Sequence, residues 1–147
     1  VFGGYWRMPE KTAEEIREDG FFITGDLGVV DDEGRVSIVG REKDLVISGG
    51  YNIYPKEVEG ILDDMPEVLE SAVIGVPHRD FGEVVVAVIV PTGREVVIAD
   101  SDAALKDKLA RFKQPKFVAN VAELPRNTMG KVQKNLLREQ FGQLFGD

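Results

Sequence analysis

Residues 40–59 read Gly40-Arg41-Glu42-Lys43-Asp44-Leu45-Val46-Ile47-Ser48-Gly49-Gly50-Tyr51-Asn52-Ile53-Tyr54-Pro55-Lys56-Glu57-Val58-Glu59. This stretch joins a charged turn, a short strand over Leu45–Ser48, a Gly49-Gly50 break and a helix start at Pro55. Proline at the first turn of a helix loses no hydrogen bond. Val58, Ile61, Leu62 and Met65 then recur at helical spacing until Pro66. A plain core element has no need of that mixture. Glycines beside Arg and Lys predict a backbone that bends sharply or lies close to an anionic ligand.

On the C-terminal side, Val68–Val76 reads as an apolar strand interrupted late by Gly75. Val84–Val90 is almost continuously β-branched, the pattern of a strand buried on both faces. Pro91-Thr92-Gly93 is a turn. Ser101 is placed to cap a helix carrying Leu105, Leu109 and Phe112 on one side. Lys116–Val121 reads as a short strand. Residues 134–145 read as an amphipathic helix with Leu137, Phe141, Leu144 and Phe145 inward.

On the N-terminal side, residues 10–19 read as a helix with a capping box at Thr12 and Glu15 and a stop at Gly20. Phe21-Phe22-Ile23 is a short strand. Leu27–Asp31 and Arg35–Val39 flank Asp31-Asp32-Glu33-Gly34, an acidic turn that signals a hairpin. Tyr5 and Trp6 read as packing residues. A β-rich piece, residues 1–40, therefore precedes an α+β piece, residues 45–147, with the boundary at 41–44. No linker rich in Pro or Ser separates them, so a hinge with defined positions is expected there.

The 147 residues are 43% hydrophobic and 30% charged, the balance of a globular chain. No apolar run is long enough to span a bilayer, and no basic-then-apolar leader opens the chain. The start at Val1-Phe2-Gly3-Gly4 reads as the middle of a longer chain. Zero Cys excludes a disulfide scaffold and any Cys-based nucleophile or metal site, and fits the cytoplasm. Net charge is −8, yet residues 106–138 carry nine Lys/Arg against two acids. That segment is a solvated basic face or a patch for a phosphate-rich ligand. Nucleic-acid binding is not expected at a pI of about 4.7 with no nucleic-acid module in the sequence.

Four places could carry chemistry. Pro125-Arg126-Asn127-Thr128-Met129-Gly130-Lys131 ends on a lysine at an exposed loop tip, where it is either an ordinary solvated residue or a mobile point charge. Asp26, after Thr24-Gly25, either caps the turn or binds hydroxyls such as those of a ribose. Arg41 holds a phosphate or ribose, or pairs with Glu42 or Asp44. His78, the sole histidine, has no nominated nucleophile and reads as loop surface. The P-loop, dinucleotide, zincin and nucleophile-elbow motifs are all missing from the sequence.

Taken together the segments resemble a known family. They are Tyr5-Trp6-Arg7-Met8-Pro9-Glu10-Lys11-Thr12, Asp19-Gly20-Phe21-Phe22-Ile23-Thr24-Gly25-Asp26, Gly40–Glu59 and Pro125–Lys134, in that order. The chain resembles, over essentially its whole length, the C-terminal part of acyl-CoA synthetases of the adenylate-forming superfamily. Among these it looks most like malonyl-CoA synthetases, on Tyr5–Thr12, on Tyr54-Pro55-Lys56-Glu57-Val58-Glu59, and on Pro125–Lys134.

The resemblance implies a small mixed sheet flanked by helices, a mobile lid, preceded by the tail end of a large N-terminal domain. It implies an acid-thiol ligase that uses ATP, Mg2+ and CoA on a small carboxylate, with Mg2+ held mainly by that absent domain. Residue by residue, it puts Asp26 on the ribose hydroxyls and Arg41 near the nucleotide. Lys43 becomes the hinge, and Lys131 the adenylation lysine between carboxylate and α-phosphate. Gly49 and Gly50 become the strip lining the pantetheine tunnel. Some family members carry an Arg where Asn52 stands, so Asn52 receives no phosphate contact. The phosphate loop, adenine motif and acyl pocket belong to the N-terminal domain, so these residues alone are expected to be inactive. Two other readings remain: an adenylation domain that loads a carrier protein, and a non-catalytic binding module.

Overall fold

In a computed structural model, which describes residues 2–146, the chain divides into two compact units, Val1–Lys43 and Asp44–Asp147.

The first unit holds helix α1 (Pro9–Glu15) and an antiparallel pair, β1 (Asp26–Val30) and β2 (Val36–Arg41). Asp31 closes the turn between the strands. Its Oδ1 accepts the N–H groups of Glu33 and Arg35, and its Oδ2 receives Arg35 Nε at 2.7 Å. The expected capping box is not formed. Met8 occupies the cap position, and Thr12 lies inside α1, its hydroxyl donating to Met8 O and accepting Tyr5 N–H. The helix stops at Ile16, earlier than residue 19, where Ile16 bridges to Phe22 in place of a Phe21–Ile23 strand. Trp6 is 84% exposed and is not a packing residue of this unit. Val29, Val30, Val36 and Ile38 are more than half exposed, and no described residue of this unit is buried. Exposed apolar side chains on this scale are a feature of interaction surfaces.

The second unit is a five-stranded mixed sheet between helices. Its strands are β3 (Val46–Ser48), β4 (Tyr51–Ile53), β5 (Val68–His78), β6 (Gly82–Pro91) and β7 (Phe117–Asn120). The antiparallel order is β4-β3-β6-β5, and β7 adds to β6 in parallel. The long β5–β6 ladder, from Val68 opposite Pro91 to His78 opposite Gly82, is its spine.

Alternation along that ladder builds two cores. Val73, Val85, Ala87 and Ile89 pack with Val58 and Leu62 of α2 (Pro55–Asp63) and Leu105 of α3 (Ile98–Leu105). Ala72, Ile74, Val76, Val86, Val88 and Val90 pack on the other side with Leu124 and with Leu137 of α4 (Lys134–Phe141). Covered on both faces, β6 needs apolar side chains at every position, which is why 84–90 shows no alternation in sequence.

Local details depart from the sequence reading for identifiable reasons. Gly75 does not interrupt β5. It makes room for Glu83, whose carboxylate accepts Ile47 N–H at 2.9 Å across the sheet; a methyl group at Gly75 would stand 2.6 Å from Glu83 Oε1. The cap of α3 is Val97, whose N–H donates to Asp100, while Ser101 lies inside the helix, fully buried. Leu109 joins the core beyond the helix end, whereas Phe112 is 39% exposed and stacks on Tyr51 at 4.5 Å. α4 ends at Phe141, leaving Leu144 partly exposed and Phe145 against the second core.

Candidate functional site

In the first unit the register of the hairpin sets Asp26 directly opposite Arg41. Arg41 Nε lies 2.9 Å from Asp26 Oδ1, so Arg41 pairs with neither Glu42 nor Asp44. Asp44 instead receives Arg138 of α4 at 2.9 Å. Thr24 Oγ1 accepts Asp26 N–H, fixing the turn, and Glu42 N–H closes back on Gly25 O. These groups line a cavity of about 640 Å³ that Tyr5 and Lys43 also reach. Tyr5 donates its hydroxyl to Glu15, and that bond holds the phenol above its ordinary pKa. Among the described residues Asp26 keeps its Oδ2 without a hydrogen bond and Lys43 makes no ion pair. A carboxylate acceptor, a guanidinium and a lysine on one concave wall are suited to a polyhydroxylated, anionic ligand.

In the second unit Gly49 and Gly50 form the two-residue turn of a β3–β4 hairpin, with φ of +56° and +82°. Positive φ at both central positions matches a type I′ turn, and β-branched or bulky residues resist it. Gly49 N–H donates to Phe81 O, which docks this turn on the turn between β5 and β6. The sequence reading saw the Gly-Gly break but not the strand that follows it.

The Pro125–Gln133 loop is closed at its base, where Gln133 N–H donates to Pro125 O and Arg126 bridges to Val132. Arg126 pairs with Glu70 of β5, at the far end of the ladder from His78. Lys131 is exposed at the tip and makes no side-chain hydrogen bond or ion pair among the described residues. Eight residues of extended chain separate Glu70 from His78, roughly 26 Å at about 3.3 Å per residue. The Lys131 loop and the Gly49-Gly50 turn therefore stand at opposite ends of one sheet.

His78 takes part in neither. Its Nδ1 accepts Asp80 N–H, and its ring lies against Phe81 and Phe145. Nor is the basic segment one free patch. Lys113 pairs with Glu57, Arg126 with Glu70, Lys134 with Glu59 and Arg138 with Asp44. Among the described residues no three His, Cys, Asp or Glu side chains gather as a metal cage. No helix among them is long and apolar enough to cross a membrane.

Sequence reasoning missed one buried cluster. Glu59 of α2 is 2% exposed; it accepts Val73 N–H at 2.9 Å and pairs with Lys134 at 2.6 Å and Lys56 at 3.0 Å. Burial alone would raise the Glu59 carboxyl, but the Lys134 charge and the hydrogen bonds outweigh it and hold the group below the ordinary carboxylate range. The pair ties α2 to α4 across the edge of β5. Its members lie 75 residues apart, so no local spacing announces them.

Comparison with known proteins places these features in a wider set. The AMP-binding enzyme C-terminal domain family matches residues 57–131. A long-chain-fatty-acid–CoA ligase, FadD13, of Mycobacterium tuberculosis is 43% identical over 137 residues, covering 93% of this chain and 27% of the relative. The crystal structure of ATP-bound MatB from Rhodopseudomonas palustris is 60% identical with a TM-score of 0.88, covering 99% of this chain and 29% of that one. o-Succinylbenzoate CoA synthetase (MenE) from Bacillus subtilis, in complex with an acyl-adenylate intermediate, is 35% identical with a TM-score of 0.87, over 94% of this chain and 28% of that one. The chain thus spans a little over a quarter of the length of each of these three proteins.

Proposed function

Because this chain belongs to the AMP-binding enzyme C-terminal domain family, we propose that it is the moving C-terminal part of a longer, cytoplasmic acyl-CoA synthetase. Its substrates are MgATP, CoA and a small carboxylate, with malonate favoured by the motifs at 5–12, 54–59 and 125–134. In the first half-reaction a carboxylate oxygen attacks the α-phosphorus, and pyrophosphate leaves. In the second, the CoA thiol loses its proton, its sulfur attacks the acyl carbonyl, and AMP leaves.

Each residue has a role in this reading. Asp26 accepts from the ribose hydroxyls through the oxygen that Arg41 leaves free, and Arg41 stays beside the nucleotide. Lys131 sits between carboxylate and α-phosphate, where two anions converge and a fixed cation has most effect. Gly49 and Gly50 give backbone without side chains along the pantetheine arm of CoA. Lys43 is the pivot. Residues 1–40 end the preceding domain, which would cover the exposed apolar face of Val30, Val36 and Ile38.

One observation carries the proposal: the Lys131 loop and the Gly49-Gly50 turn occupy opposite ends of the β5–β6 ladder. A single rigid unit cannot present both to one reaction centre without turning, and two half-reactions give it reason to turn. The test is Lys131→Ala in the longer protein. Malonate-dependent ATP–pyrophosphate exchange is expected to fall by ~10²–10³, the usual cost of losing a preorganised charge. Thioester formation from preformed malonyl-adenylate and CoA is expected to persist. Full exchange activity in that variant would overturn the assignment.

A further inference from the structure

The backbone around Lys131 is gripped from several directions while its side chain is left alone. Asn127 Oδ1 accepts Lys131 N–H at 2.9 Å and Met129 N–H at 3.0 Å. Asn127 N–H in turn donates to Lys131 O at 2.9 Å. Arg126 Nη1 donates to Gly130 O at 2.7 Å, and its other nitrogen pairs with Glu70 on β5. The Gly130–Lys131 peptide is thereby held at both ends, its oxygen by Arg126 and its N–H by Asn127. Gly130 turns the chain at φ +78° just before it. Met129 at the same tip is 72% exposed, so packing does not fix the loop.

An exposed ion pair such as Arg126–Glu70 adds little to global stability. Its geometry gives it a local use: it fastens a peptide of the loop to a strand of the sheet. We infer that Arg126 and Asn127, with Glu70 behind Arg126, are positioning residues that aim Lys131 during carboxylate adenylation and have no part in thioester formation. This rests on the reading of Lys131 as the adenylation group. Lys134, three residues beyond, is a different case. It is buried against Glu59, and its loss acts through folding.

The test measures the two half-reactions separately in the longer protein. Arg126→Ala and Asn127→Ala are expected to lower kcat for adenylation by ~10–10²-fold, the scale of an ångström-level misplacement. KM for ATP, the thermal midpoint and thioester formation from preformed adenylate should stay near wild type. Asn127→Asp, which keeps the acceptor oxygen, should recover most of the rate, and Arg126→Lys only part. Adding Glu70→Gln to Arg126→Ala should cause little further loss, because both act through one contact. Independently of activity, the Lys131 amide should exchange with deuterium faster in Asn127→Ala. Full adenylation in both alanine variants, or equal losses in both half-reactions, would overturn the inference while leaving a Lys131→Ala defect in place. An active Lys131→Ala enzyme would instead overturn the underlying reading and this inference with it.

Discussion

Lys134→Met tests the buried cluster that joins the layers of the second unit. The substitution keeps the length of the side chain and removes the best-sequestered cation facing Glu59, which is 2% exposed. Lys56 remains, but its side chain is 73% exposed and screened by solvent. An uncompensated buried charge typically costs about 3–5 kcal/mol. Glu59 has one escape, which is to take up a proton. From an ordinary pKa of about 4.3, that costs about 3.7 kcal/mol at pH 7, at about 1.36 kcal/mol per unit. The two routes converge on a loss of about 3–4 kcal/mol. In urea, with a slope of about 1–3 kcal/mol/M, the midpoint should fall by about 1–4 M, read by far-UV circular dichroism.

The pH dependence gives a sharper criterion. In the wild type the Glu59 carboxyl is depressed on folding. Between its folded and ordinary values the unfolded chain holds more protons, so stability rises with pH there and is lost as pH falls through the folded value. Without Lys134, burial becomes the dominant influence and raises the carboxyl. The folded chain then holds more protons above the ordinary range, and stability declines as pH rises through that window. The slope contributed by Glu59 should therefore reverse sign. Adding Glu59→Gln, whose amide oxygen can still accept Val73 N–H, should recover most of the loss and abolish the reversal. A Lys134→Met chain within about 1 kcal/mol of wild type at pH 8, with an unchanged slope, would refute the reasoning.

Three further perturbations have defined outcomes. Gly50→Ala forces a Cβ into φ +82° with open space around it, so backbone strain alone should cost about 1–2 kcal/mol in urea unfolding. Gly75→Ala displaces the Glu83 carboxylate and its bond to Ile47 N–H, costing about 1.5–3 kcal/mol for a charge-assisted bond; Ile47 amide exchange should quicken in the same variant. Ser101→Ala removes a buried hydroxyl that has no hydrogen-bond partner among the described residues and sits inside a helix, so urea unfolding should show stability unchanged or raised by up to about 1 kcal/mol.

The fold was legible wherever burial is two-sided or a turn requires a particular residue. Val84–Val90 announced the central strand, Pro55 the start of α2, and Asp31–Gly34 the hairpin of the first unit. Helix ends were read less well. Thr12, Glu15 and Ser101 fit capping patterns, yet in the fold Thr12 and Glu15 bond Tyr5, while the cap position of α3 is Val97, whose N–H is accepted by Asp100. A capping pattern specifies which side chains are able to bond a helix terminus, and tertiary partners then decide whether they do. The strand Tyr51–Ile53 escaped because three residues are too short for periodicity to show. Phe112 was read by spacing onto the apolar side of a helix that ends before it, and Trp6 as a packing residue; neither reading shows whether a covering surface lies opposite.

For the candidate site, residue type singled out Asp26, Arg41, the Gly49-Gly50 pair and Lys131, while Lys43 and the particular roles came from the family resemblance. Glycine also permits the positive φ found at Gly49, Gly50 and Gly130 but does not impose it, since Gly75 lies in β5 without it. Only the tertiary structure decided their company. Arg41 faces Asp26 across the hairpin, Arg126 reaches Glu70 from 56 positions away, and four of the nine cations of the basic segment are paired with acids on other elements. Charge and glycine are properties of single positions and can be read along a line. Pairing and the ladder that separates Lys131 from Gly49-Gly50 depend on which strands lie side by side, and that is set by burying both faces of β6.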